Sequence, residues 1–99
     1  MTNEMIKLRT MLTAEGIPWE DASDKADDIY HIDRTHFTYR NYGWSIIHGY
    51  GTYGGHSLWN DDKDEGKLEL MSNAVNDGNP IGWLTADECI TLVKGEQNG

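Results

Sequence analysis

From Arg34 to Asn60 the chain carries Arg34, His36, Arg40, His48 and His56 but not one Asp or Glu, although seventeen acids against eight Lys and Arg give the whole protein a net charge of −9. Seven of the ten aromatic residues and five of the eleven glycines fall in the same window. Guanidinium groups pair with phosphate through two hydrogen bonds, aromatic faces stack on bases, and glycines leave backbone N–H groups open to an anion. The ligand these residues imply is a small nucleotide-type anion. Arg34, His36, Arg40, Tyr42, Trp44, His48, Tyr50 and Tyr53 would hold it, within one chain or across a homodimer. The same residues also suit an aromatic core hairpin whose arginines reach nearby carboxylates, and the sequence leaves both readings open.

Within this window Gly49 to Gly54 spells G-x-G-x-x-G. As a dinucleotide fingerprint it must follow a strand and open a helix. The segment Gly55 to Asp61 is too short and too poorly patterned for that helix. A kinase-type glycine loop would need the other kinase motifs, and they are absent from the sequence. His31-x-Asp33 with His48 or His56 imitates a two-histidine, one-carboxylate iron site, yet enzymes of that kind need a larger barrel. Asn60 to Gly66 resembles a calcium loop with its glycine one place late and Met71 where the closing Glu belongs. Ser45, Ser57 and Cys89 are the nucleophile candidates, and none lies in a G-x-S-x-G elbow. The expectation is a protein that is not an enzyme and has no cofactor or metal.

The acidity suggests a second mechanism. Acids gather at 20–28 and 61–69, and a surface built on Asp61, Asp62, Asp64 and Glu65 could occupy the nucleic-acid groove of a basic partner. A field of this sign repels nucleic acid and anionic membranes, so neither is expected as a direct partner. One cysteine excludes an internal disulfide and suits the cytosol, with Cys89 a buried, inert thiol. No apolar leader and no run approaching a membrane span is present.

Residues 1–99 suffice for one domain and one small core. Met5, Leu8, Met11 and Leu12 recur at helical spacing behind Thr2 or Asn3 and ahead of Gly16. Pro18 enforces an extended chain through Ile17 and Trp19, and the acidic stretch from Glu20 to Asp28 reads as a solvated turn or short helix. Ile29 to Tyr39 is strand material. Alternation sends Arg34, His36, Thr38 and Arg40 to one face and Thr35, Phe37 and Tyr39 to the other. A turn at Asn41-Tyr42-Gly43 returns Trp44 to Tyr50 as the second strand of a hairpin. Residues 67–71 are ambiguous between strand and helix, with strand preferred. Thr85 and Glu88 form a capping box for a helix over 86–94. The fold class is α+β: a small antiparallel sheet, its central hairpin near 29–50, packed on one face by N-terminal and C-terminal helices that bury the Trp side chains.

The segments RTHFTYRNYGWSIIHGYGTYGG and GWLTADECI resemble a family of small acidic proteins of unassigned function encoded in bacteriophage and prophage genomes, over most of the chain from Trp19 onward. That resemblance carries no catalytic residue to transfer. It implies an accessory protein that works by binding in the host bacterial cytosol and counteracts a defence system, or else a structural or assembly protein of the phage.

Overall fold

The structure, a computed structural model, describes residues 1–24, 31–55 and 66–95. Helix α1 (Asn3–Ala14) buries Met5, Leu8 and Leu12 completely, three residues at successive helical spacings. Thr2 occupies its N-cap without capping it, because the Thr2 hydroxyl donates instead to the carbonyl of Gly66 at 2.9 Å. Gly16, with φ of +72°, ends this first element as its sequence position suggested.

Five strands follow in one sheet: β1 (Trp19–Asp21), β2 (Ile32–Tyr39), β3 (Tyr42–Gly49), β4 (Leu68–Ser72) and β5 (Ile81–Leu84). They lie side by side in chain order, each antiparallel to the next. Helix α2 (Ala86–Lys94) closes the chain, and its capping box is complete: the Thr85 hydroxyl accepts from Glu88 N–H while the Glu88 carboxylate accepts from Thr85 N–H. This is the α+β arrangement expected, with residues 86–94 helical as read and the 67–71 segment a strand over Leu68–Ser72.

Two strands were not foreseen. β1 is three residues long and rich in acid, and β5 is four residues long with a glycine inside, so neither offers enough alternation to read. The β2–β3 hairpin also turns two residues earlier than its glycine suggested. Tyr39 faces Tyr42 across the ladder, leaving Arg40 (φ +51°) and Asn41 (φ +69°) as the two-residue loop. Two left-handed residues match the right-handed twist of the flanking strands.

Strand alternation divides the sheet into two unlike faces. Phe37 and Thr35 of β2, Trp44 and Ile46 of β3, and Leu68 and Leu70 of β4 face the helices and join Met5, Leu8, Leu12, Ala86, Cys89, Ile90 and Val93 in one core. Each fully buried leucine there contributes about 2 to 3 kcal/mol. The helices are also tied to each other: Lys7 to Asp87 at 2.7 Å, Lys94 to Glu15 at 3.3 Å, and Ala86 N–H to the Glu4 carboxylate at 2.8 Å. Not every tryptophan is enclosed. Trp44 is buried and Trp19 partly so, but Trp83 is 53% exposed; Trp59 lies outside the described residues. No helix among the described residues is long and apolar enough to cross a membrane.

Candidate functional site

Because both helices lie on one side, no helix among the described residues covers the other face of the sheet, here called the open face, and its most regular feature follows from register. Glu20 pairs with His36, His36 with Ser45, and Ser45 with Met71, so four side chains from four strands form a straight row. The row lies in a groove of about 780 Å³ bordered also by Pro18, Thr38, Gly43, Asn73 and Gly78. Neighbouring positions in such a row are within about 5.5 Å at Cβ. An acid, an imidazole and a hydroxyl in sequence are the parts of a proton relay. No hydrogen bond joins Glu20, His36 and Ser45 to one another among the described residues, so the row stands as a polar strip with a thioether at its end.

Of the eight residues expected to share one pocket, the structure gathers few. His36 lies in the groove floor. Trp44 borders the groove but belongs to the helix-side core, where its ring stacks on Phe37 with centroids 6.3 Å apart. Its Nε1–H is buried with no acceptor among the described residues. His48 is buried on the helix side opposite Asp33. Arg34 does project to the open face, and its guanidinium turns to Asp24 at 3.7 Å and the Ala22 carbonyl at 3.4 Å. Arg40 departs from the face that alternation gave it. Placed in the turn, it lies over the Tyr39 ring and donates to the Lys94 carbonyl at the end of α2. Tyr42 is exposed at the hairpin end, and Tyr50 is half-buried just past β3. Asp61, Asp62, Asp64 and Glu65 lie outside the described residues, as do His56, Ser57 and most of the calcium-like loop.

The glycine motif folds into a knot closed on itself. The Thr52 hydroxyl accepts from Gly49 N–H at 3.0 Å and donates to the Gly49 carbonyl at 2.8 Å, while Gly55 N–H donates to the Thr52 carbonyl at 3.1 Å. A Cβ on Gly55 would meet the Gly49 carbonyl oxygen at 2.3 Å, which explains the glycine without any ligand. The N–H of Tyr53 already donates to a carboxylate, that of Glu69, at 3.0 Å. A phosphate would have to displace that charge, so this loop is not an anion cradle.

Register does bring His31, Asp33 and His48 to one end of the sheet. His31 Nε2 lies 2.7 Å from Asp33 Oδ1, so that carboxylate oxygen is already engaged, and no group of three ligating side chains among the described residues could hold a metal ion. Cys89 is wholly buried on the inner face of α2. Burial, with Glu88 and Glu4 adding to it, pushes its thiol well above the ordinary cysteine range, so it is no nucleophile.

One feature of the open face was missed in sequence. Tyr53, carried over the sheet by the glycine loop, stacks on Trp83 with centroids 5.3 Å apart and planes inclined by 24°. Both rings are about half exposed. Thirty residues separate them, and no local signal connects the two. Comparison with protein-family models, curated proteins and solved structures returns no match to this chain.

Proposed function

We propose that this protein is a non-catalytic binding protein that occupies a basic partner through the open face of its sheet. The observation that carries the reading is the row Glu20, His36, Ser45 and Met71 along the groove floor. A carboxylate at one end, two hydrogen-bonding groups and a thioether suit a polypeptide segment bearing Lys or Arg beside an apolar side chain. The net charge of −9 draws such a partner in and slows the approach of anions. The setting, the host bacterial cytosol with a component of host defence as partner, rests on the resemblance to small phage accessory proteins.

A small nucleotide-type ligand is the second reading, and His36 in the groove floor is the observation in its favour. It comes second because Arg34 and Arg40 are engaged elsewhere, leaving His36 next to a carboxylate that repels phosphate. Calorimetric titration separates the two. The first reading expects a short Lys- and Arg-bearing peptide to bind, more weakly as salt rises, and Glu20→Lys to weaken it further. Binding of cyclic or ADP-ribose-derived nucleotides without peptide binding, lost in His36→Ala, overturns the first reading in favour of the second.

A further inference from the structure

Beside the groove, on the same open face, three independent features converge on Tyr53 and Trp83. The first is backbone strain. Trp83 has φ of +56°, a left-handed conformation that costs a bulky residue roughly 1 to 2 kcal/mol. It sits at a bulge in β5, where Leu68 pairs with Leu84 but Leu70 pairs with Ile81. Burial does not compensate for that strain, since the side chain is 53% exposed.

The second is the way the pair is held. Trp83 N–H donates to the Tyr53 carbonyl at 3.3 Å, and a Cβ on Gly82 would lie 2.2 Å from the Tyr53 Cβ, so the loop settles onto β5 only because residue 82 is glycine. Two large rings are thereby fixed together at the surface instead of in the core. The third is charge. Glu69 is 9% exposed, one of its oxygens accepts from Tyr53 N–H, and no cation among the described residues lies within salt-bridge distance of it. A carboxylate in that position is costly to desolvate and gains from a cation.

Aromatic faces beside a carboxylate that has no cationic partner among the described residues are the chemistry of cation recognition. The geometry points to a docking site for an arginine side chain of the partner: its guanidinium stacks on the outward face of the Tyr53–Trp83 pair, within the field of Glu69. This rests on the reading of a basic partner and names the group that anchors it. Guanidinium is favoured over ammonium because a planar, weakly hydrated cation stacks on a ring with less loss of hydration. Net charge decides against a nucleobase as occupant, because its phosphates would approach a chain of charge −9. The site lies one row along from the groove, since Glu69 and Met71 are successive open-face residues of β4. One segment of chain can therefore meet both.

The test uses the whole protein and a capped peptide of alternating Gly and Arg, with Lys and citrulline versions of the same peptide. Affinity is read by calorimetry and fold integrity by thermal melting. The Arg peptide is expected to bind more tightly than the Lys version, and both more tightly than citrulline. Trp83→Gly removes the ring while keeping the left-handed backbone, and should weaken Arg binding about 3- to 30-fold with the thermal transition still cooperative. Trp83→Asn, which also tolerates positive φ, should behave alike, and Glu69→Gln should reduce the salt dependence. Unchanged Arg affinity in both Trp83 variants, with binding lost in Glu20→Lys, overturns the anchor and leaves the groove reading standing. Equal binding of the citrulline peptide also overturns the anchor. No binding of the Arg or Lys peptides by the unaltered protein overturns both.

Discussion

Leu70 and Met71 are neighbours in the chain, yet Leu70 is wholly buried and Met71 is 45% exposed. Between them runs the division that organises the molecule. The helix side of the sheet takes the apolar side chains of both helices and of four strands, while the open side carries Glu20, Arg34, His36, Ser45, Glu69 and Met71. A sheet of this size could be closed on both faces only by a further layer. In this chain the second face holds a polar row and an exposed aromatic pair, so the buried apolar packing resides on one side and the proposed binding on the other.

That division can be broken directly. Leu70→Ala leaves a cavity in the helix-side core and should lower unfolding free energy by about 3 kcal/mol, while Met71→Ala one residue on should change it by about 0.5 kcal/mol or less. Urea unfolding monitored by circular dichroism measures both, and equal losses would show that the open face is covered after all. The glycines sharpen the contrast within the open side. Gly55→Ala forces a Cβ against the Gly49 carbonyl and should cost about 2 kcal/mol, whereas Gly43→Ala, with open space around its Cβ, should be nearly neutral. The smallest effect lies at the sheet edge. Asp21 is held below its ordinary value of 3.8, first by the Ser23 hydroxyl and backbone N–H and then by Arg9. A depressed carboxyl stabilises the fold above its unfolded value, and that contribution is lost as pH falls through the lower folded one. Asp21 is more than half exposed, so solvent screens the effect to a few tenths of a kcal/mol. Melting curves of Asp21→Asn should fall slightly below those of the unaltered protein at pH 6 and converge on them as pH is lowered through the acid range below 3.8.

Much of the helix side was legible because its signals are local. A capping box four residues long marked α2, and four side chains at helical spacing, Met5, Leu8, Met11 and Leu12, marked α1. Alternation likewise put Arg34, His36 and Thr38 on one face of β2. The site was less legible because it depends on partners distant in sequence. His36 gains meaning only when Glu20, Ser45 and Met71 line up with it, and that register requires β1 and β4, elements too short or too ambiguous to align in advance. Arg40 shows the opposite failure: the alternation rule was sound, but the strand ended one residue before it, and the turn sent its side chain to α2. The glycine motif, set aside as a fingerprint because the segment after it is too short for the required helix, is a third case. Its spacing is shared by any tight loop that needs several left-handed or crowded positions, here Gly49, where a Cβ would meet the His31 carbonyl, and Gly51 and Gly54, both at positive φ.

The buried thiol of Cys89 has a use unrelated to any partner. It lies on the buried face of α2, turned to the sheet, and the chain has no second cysteine to react in its place. A thiol reagent in excess can reach it only during moments when that helix lifts from the sheet. The rate of labelling therefore times the breathing of the core in the native state, and does so without a mutation, a probe or a denaturant.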